Sequence, residues 1–295
     1  MRKIIPIDTN YEFMDKRKIM MLLSVIFIFF SIVLISFKGL NLGIDFRGGT
    51  LIEIKTNNSN IAELRKILNP EFNDVSLQEF GDSNTIIIRL QNDSNSESMT
   101  TINQVKILIA DKVEEFRRTE FVGPTISSEL LWKGLQAVSF ALIAILIYIW
   151  LRFEWQFGFG AVVALTHDVL FTLGFLSLFN IEFSLASIAA ILTIAGYSIN
   201  DTVVIFDRVR ENLRKYKKLD LVNLFNLSIN NTLSRTIMTS LTTLIALSTL
   251  YIFGGDVIKP FALTMIVGVL IGTYSSIFVA VPTLLLFKFR PQEED

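Results

Sequence analysis

The chain has 295 residues, 51% of them hydrophobic, with formal net charge −1 and a mean hydropathy of +0.51. The near-neutral total carries no signature of nucleic-acid binding, and no such partner is expected. Zero cysteines exclude disulfides, thiolate chemistry and cysteine zinc sites, and a single histidine argues against a histidine-based metal site, so no metal or cofactor is expected.

Residues 1–18 are mostly polar and carry Arg2, Lys3, Lys16, Arg17 and Lys18. The apolar run 19–37 is longer than a signal-peptide core and is read as an uncleaved first membrane span. Directly after it, Gly43-Ile44-Asp45-Phe46-Arg47-Gly48-Gly49-Thr50 supplies three glycines for a tight turn with positive φ, where the chain leaves the span and enters a strand. A phosphate-binding loop is the competing reading, but no Gly-Lys-Ser/Thr follows and no helix is expected to start there.

Residues 38–133 are enough for one small core. A strand over 49–55 and helical spacing over 60–68 come first. Strands 75–80 and 85–90 then flank the turn Gly81-Asp82-Ser83-Asn84. A polar stretch, 92–101, leads to Ile102, Val105, Ile109, Val113 and Phe116 at helical spacing, and 121–126, interrupted by Pro124, supplies a last strand. The order βαββαβ predicts a ferredoxin-like α+β domain.

Five further runs of span length follow, at 134–151, 157–179, 183–206, 236–254 and 260–287. The expected fold is therefore an all-α membrane bundle of six transmembrane helices carrying that single domain. A basic, then amphipathic link, 207–234, joins the fourth and fifth runs. Its Leu221, Leu224, Phe225 and Leu227 fit either a helix along the membrane surface or an extension of the fourth span followed by a turn. Residues 288–295 form a tail. Basic residues gather before the first span, at Arg152, along Arg208–Lys218, and after the sixth span at Lys288 and Arg290. By the positive-inside rule both termini are cytoplasmic and the domain lies outside.

Polar residues inside these runs are the functional candidates. Asp201 lies about 9 Å deeper than Asp207 at ~1.5 Å per helical residue. A carboxylate in hydrocarbon costs about 2.5–3.5 kcal/mol on insertion scales, so an intramembrane acid is a functional-site hypothesis by default. Ser198 and Tyr197 share its helix face. Asn200, Thr193 and Gly196 lie on an adjacent one, and the whole arc should face other helices or a wet cavity. Such an acid can load and release a proton; the plainer alternative is a static aspartate with a fixed partner.

Arg235 opens the fifth span from the same side, and Thr236, Thr239, Ser240 and Thr243 continue a hydroxyl stripe; an interfacial anchor is its plainer reading. His167 and Asp168, midway through the third span, fit a proton relay or a hydrogen-bonded structural pair. Gly268, Gly272 and Ser276 form a small-residue stripe suited to close helix packing, and Pro282 should bend or end the last run. No Ser-His-Asp grouping, zinc-ligand spacing or Walker motif occurs, so an enzyme is not expected.

In order along the chain, the Gly43–Thr50 segment, Val122-Gly123-Pro124, His167-Asp168, the run Gly196-Tyr197-Ser198-Ile199-Asn200-Asp201-Thr202 with Phe206-Asp207-Arg208, and Ser234-Arg235-Thr236 with Thr239-Ser240 resemble the SecD/SecF family. These are protein-export membrane proteins of the resistance-nodulation-division (RND) superfamily. The resemblance covers nearly the whole chain. It implies proton-driven help to unfolded polypeptides crossing the bacterial inner membrane, with a SecD subunit, the SecYEG channel and membrane lipid as partners. Asp201, Arg235, Asn200, Asp168 and His167 become proton-relay candidates. Gly43, Asp45, Gly48, Gly49, Gly123 and Pro124 become a structural motif. Arg235 would pair with Asp201 or with an aspartate of SecD. Two alternatives stand beside this: half of a small-molecule exporter of the same superfamily, and a passive assembly scaffold with no proton path.

Overall fold

A computed structural model describes residues 9–56, 61–72, 75–79, 84–90, 98–255 and 257–287. Residues 81–83 of the expected turn 81–84, residues 92–97 of the polar stretch and the tail lie outside the described residues. In chain order, a 3₁₀ turn (Phe13–Lys16) leads into α1 (Arg17–Lys38), β1 (Asn41–Leu42), α2 (Ile44–Arg47), β2 (Gly49–Thr56) and α3 (Ile61–Leu68). Then come β3 (Val75–Glu79), β4 (Thr85–Leu90), α4 (Ser98–Leu108), β5 (Val113–Val122) and α5 (Pro124–Arg152). The remainder is α6 (Trp155–Leu178), β6 (Glu182–Phe183), α7 (Leu185–Lys215), α8 (Leu221–Phe253), α9 (Lys259–Ser275), a π-helical turn (Ser276–Ala280) and α10 (Val281–Leu284). Two compact units result: Leu42–Ala137 with Glu182–Leu185, and the rest of the chain.

The first unit is the ferredoxin-like domain. Its strands run β3-β4-β2-β5, all antiparallel, and β2 to β5 with α3 and α4 follow the order βαββαβ. Ile52 and Ile54 of β2, Ile86 and Ile88 of β4, Leu64 and Leu68 of α3, and Val105 of α4 make its core. Two details differ from the sequence reading. Val113 and Phe116 belong to a strand and not to a helix, and that strand ends at Val122, before Pro124. The register explains the misleading spacing. Thr56 pairs with Val113 and Lys55 with Glu115, so Glu114 is an extra residue, and Arg117 is skipped in the same way between Phe116 and Arg118. Each bulge shifts the alternation by one residue. Val113 and Phe116, three apart, therefore both pack on the same core. Pro124 instead opens α5, where its missing N–H is not needed.

The glycine-rich segment also departs from expectation, because one helical turn, α2, does start there. Gly48 and Gly49, with φ of 72° and 106°, end it in conformations that side-chain-bearing residues rarely adopt. Gly43 serves a close approach: a Cβ there would meet Glu182 Oε1 at 2.6 Å. Glu182 Oε2 lies 2.5 Å from Arg89 Nη2 on β4, and both side chains are largely shielded from solvent.

Among the described residues, six helices are long and apolar enough to cross a membrane: Phe13–Lys38, Thr125–Arg152, Trp155–Leu178, Leu185–Lys215, Leu221–Phe253 and Lys259–Leu284. α6, α7 and the α9–α10 segment are the more enclosed; α1, α5 and α8 leave broad apolar faces exposed. Helices two, four and five outrun their apolar runs into polar flanks, where hydropathy gives no signal. The link 207–234 is thus the end of α7, a turn, and the start of α8, not a surface helix. Asp220 caps α8 by accepting from Val222 N–H at 3.0 Å. Leu224 and Phe225 pack into the core with Met14, Phe153 and Phe206. Asn226 and Asn230 of α8 accept the backbone N–H groups of Met14 and Tyr11, each at 2.9 Å, which docks the segment before α1. The π turn lies where Pro282, lacking an N–H, cannot continue the helical ladder back to Phe278.

Candidate functional site

α7 runs unbroken past Asp201, and its first N–H, that of Leu185, donates to Asp45 Oδ2 at 2.9 Å. Asp201 is turned inward, 3% exposed. Two groups of α8 bear on it: the charge of Arg235 and, within side-chain hydrogen-bonding reach, Thr239. Its Oδ2 has no hydrogen-bond partner among the described residues, nor do the buried hydroxyls of Thr202 on α7 and Thr236 on α8. Orphaned buried polar atoms are rare and costly. Arg235 itself is exposed and lines a recess of about 260 Å³ with Asp207, Arg208, Glu211, Asn231 and Thr232. The acid is therefore buried while its cation reaches water.

Asn200, Thr193 and Gly196 sit on the other side of α7. All three are exposed, and a Cβ on Gly196 would meet nothing within 4 Å. The polar arc is thus split: Asp201 faces this chain's own helices, whereas its neighbours face outward.

His167 and Asp168 form a separate, fully enclosed cluster. His167 Nδ1 lies 3.0 Å from Asp168 Oδ1, and Asp168 Oδ2 accepts from Ser198 Oγ of α7 at 2.5 Å and Ser275 Oγ of α9 at 2.8 Å. Three helices are tied at one carboxylate whose oxygens are both satisfied. The carboxylate and its two serines thus act as a clamp, while His167 Nε2 has no hydrogen-bond partner among the described residues. Ser198 precedes Asp201 by one helical turn, so the clamp fixes the rotation of α7 next to the acid. Ser198 was legible as a face-mate of Asp201; Ser275 carried no signal, because a transmembrane serine ordinarily bonds its own helix.

Gly268 and Gly272 let α9 approach α7: a Cβ on Gly268 would fall 2.1 Å from Ile194 Cδ1, and one on Gly272 3.0 Å from Ser198 Cβ. Ser276 is buried, and its hydroxyl donates to Thr273 O within its own helix, at the start of the π turn. Gly123 is buried, and its carbonyl accepts from Ser127 N–H at 3.0 Å in the first turn of α5. Among the described residues no three His, Asp or Glu side chains come together as metal ligands would.

Fold and site together define a multi-pass membrane protein with a small α+β domain after its first helix and a buried acid facing a cation between two later helices. A family model described as "Protein export membrane protein SecD/SecF, C-terminal" matches residues 104–290, and one described as "SecD/SecF GG Motif" matches residues 33–59. The protein translocase subunit SecF of Rickettsia rickettsii (strain Sheila Smith) is 42% identical over 293 residues, covering 98% of this chain and 95% of that protein. That of Rickettsia bellii (strain OSU 85-389) is 42% identical over 297 residues, covering 99% and 98%. The crystal structure of SecDF, a translocon-associated membrane protein from Thermus thermophilus, matches with a TM-score of 0.89 at 36% identity over 97% of this chain, which spans 40% of the length of that SecDF chain. The chain belongs to the SecD/SecF family of protein-export membrane proteins, and within it to the SecF translocase subunits.

Proposed function

We propose that this chain couples proton movement to protein export, working beside a SecD subunit to draw unfolded polypeptides through the SecYEG channel across the bacterial inner membrane. The observation that carries this reading is Asp201, buried on α7 with one unpartnered oxygen and facing a water-exposed arginine. An ionised Asp201 needs the cation of Arg235; a protonated one gains a donor for its orphaned oxygen and does not. Proton binding therefore changes what α7 and α8 must do to satisfy one another.

The outward polar face of α7, at Thr193, Gly196 and Asn200, supports a protein neighbour over lipid, and a SecD helix is the natural occupant. The Lys and Arg distribution supports cytoplasmic termini and a periplasmic domain. At its other end, α7 starts from a segment held to the α+β domain by Asp45 and by the Glu182–Arg89 pair, so a shift of α7 pulls on that domain. The domain would then hold the emerging chain against backsliding. One proton crossing 100 mV supplies about 2.3 kcal/mol, so a large cycle uses several.

Infrared difference spectra of the purified chain between two pH values test the chemistry. A carboxyl band absent in Asp201→Asn and kept in Asp168→Asn is expected. Spectra indifferent to Asp201→Asn would instead favour a passive scaffold.

A further inference from the structure

The geometry points to a binding site for the phosphate headgroup of an anionic glycerophospholipid where α5 and α7 emerge from the apolar layer. A recess of about 480 Å³ is lined there by Arg152, Arg210, Arg214 and Lys215, with Asp207 and Glu211 as its acids among the described residues. The two acids are engaged. Arg152 Nη2 donates to both oxygens of Asp207 at 2.9 and 3.1 Å, and Glu211 accepts from Arg208 at 2.7 Å. Four bases against two committed acids leave the recess electropositive.

Two of its guanidiniums are also held in place. Their carbons lie 5.0 Å (Arg152) and 5.3 Å (Arg210) from the ring centre of Phe153, which is buried, and Arg210 Nη1 donates to the Arg152 carbonyl at 3.3 Å. A ring contact of this kind fixes a guanidinium without consuming its N–H donors. Arg152 still has N–H groups free of Asp207, and no carboxylate pairs with Arg214 or Lys215 among the described residues.

What favours a lipid over a soluble anion is the setting. Arg152 closes an apolar helix, and Trp150 and Leu151 just before it are 72% and 85% exposed, with Trp155 just after it at 58%. Exposed tryptophans beside a basic cluster are the mark of the headgroup level, where acyl chains meet the apolar side chains and the phosphate meets the arginines. An acidic protein segment would not need that apolar collar.

The test places the full chain in nanodiscs of equal phosphatidylglycerol and phosphatidylcholine and counts lipid retained on release by native mass spectrometry. Selective retention of phosphatidylglycerol is expected. It should weaken roughly 25-fold in Arg210→Gln/Arg214→Gln, at about fivefold per charge removed. The charge-matched pair Lys217→Gln/Lys218→Gln, outside the recess, should retain it nearly as wild type does. Arg214→Gln alone, at an exposed end of α7, carries the same test should the double variant not fold. Equal losses in both pairs would mean diffuse surface attraction and overturn the site. Full displacement by millimolar inorganic phosphate or by a glutamate-rich peptide would overturn the lipid assignment.

Discussion

Asp201 and Asp168 are two buried acids with opposite bookkeeping. Asp168 has every oxygen engaged by His167, Ser198 and Ser275, whereas Asp201 keeps one oxygen without a partner. Removing the first should therefore damage the fold and removing the second should not. Asp168→Ala leaves the buried Ser198 hydroxyl and His167 Nδ1 without their partner, while Ser275 can still donate to the Gly272 carbonyl, a loss of about 1–3 kcal/mol. Thermal unfolding in detergent should show it as a clear drop in midpoint, with Asp201→Asn close to wild type; equal midpoints would dissolve the distinction. Asp201 was visible in the sequence because it stands alone in an apolar run. Its separation from Asn200 was not, since helical spacing says which residues share a face and not which face the bundle covers.

At the scale of elements, glycines decide how closely helices meet. A Cβ on Gly174 of α6 would lie 2.2–2.8 Å from Ser31 of α1, backbone included, while one on Gly196 would touch nothing. Gly174→Ala should accordingly cost about 1–3 kcal/mol by overpacking. Gly196→Ala, in open space on a helix, should be neutral or stabilise by up to about 1 kcal/mol. The same unfolding assay reads both, and Ser31→Gly should restore part of the Gly174→Ala loss. A harmless Gly174→Ala would mean that α1 and α6 do not meet as described. The strand β5 shows where sequence pattern misleads: the bulge at Glu114 gives Val113 and Phe116 the three-residue spacing of a helix, and only pairing with β2 reveals it. The start of α8 was ambiguous for a different reason, because an amphipathic turn has the same pattern whether it meets lipid or the core that Leu224 and Phe225 enter.

For the whole molecule, the number of spans and the βαββαβ order were legible because hydropathy blocks and alternation report burial directly. The α+β unit has its own core, so residues 42–130 expressed alone should give a mixed α/β circular dichroism spectrum and a cooperative melt. A disordered spectrum would mean that the helices are needed to hold it. What no pattern could show is that α7 joins both ends of the proposed machine, with Asp45 and Glu182 at its start and Asp201 deeper in. The decisive measurement is export of an unfolded precursor into vesicles containing this chain, SecD and SecYEG, with and without a proton gradient, at matched complex abundance. Wild type should export faster with the gradient, and Asp201→Asn should assemble fully yet lose that acceleration, while Asp207→Asn, at a half-exposed carboxylate already paired with Arg152, should keep most of it. Undiminished gradient dependence in Asp201→Asn would contradict proton coupling at this residue.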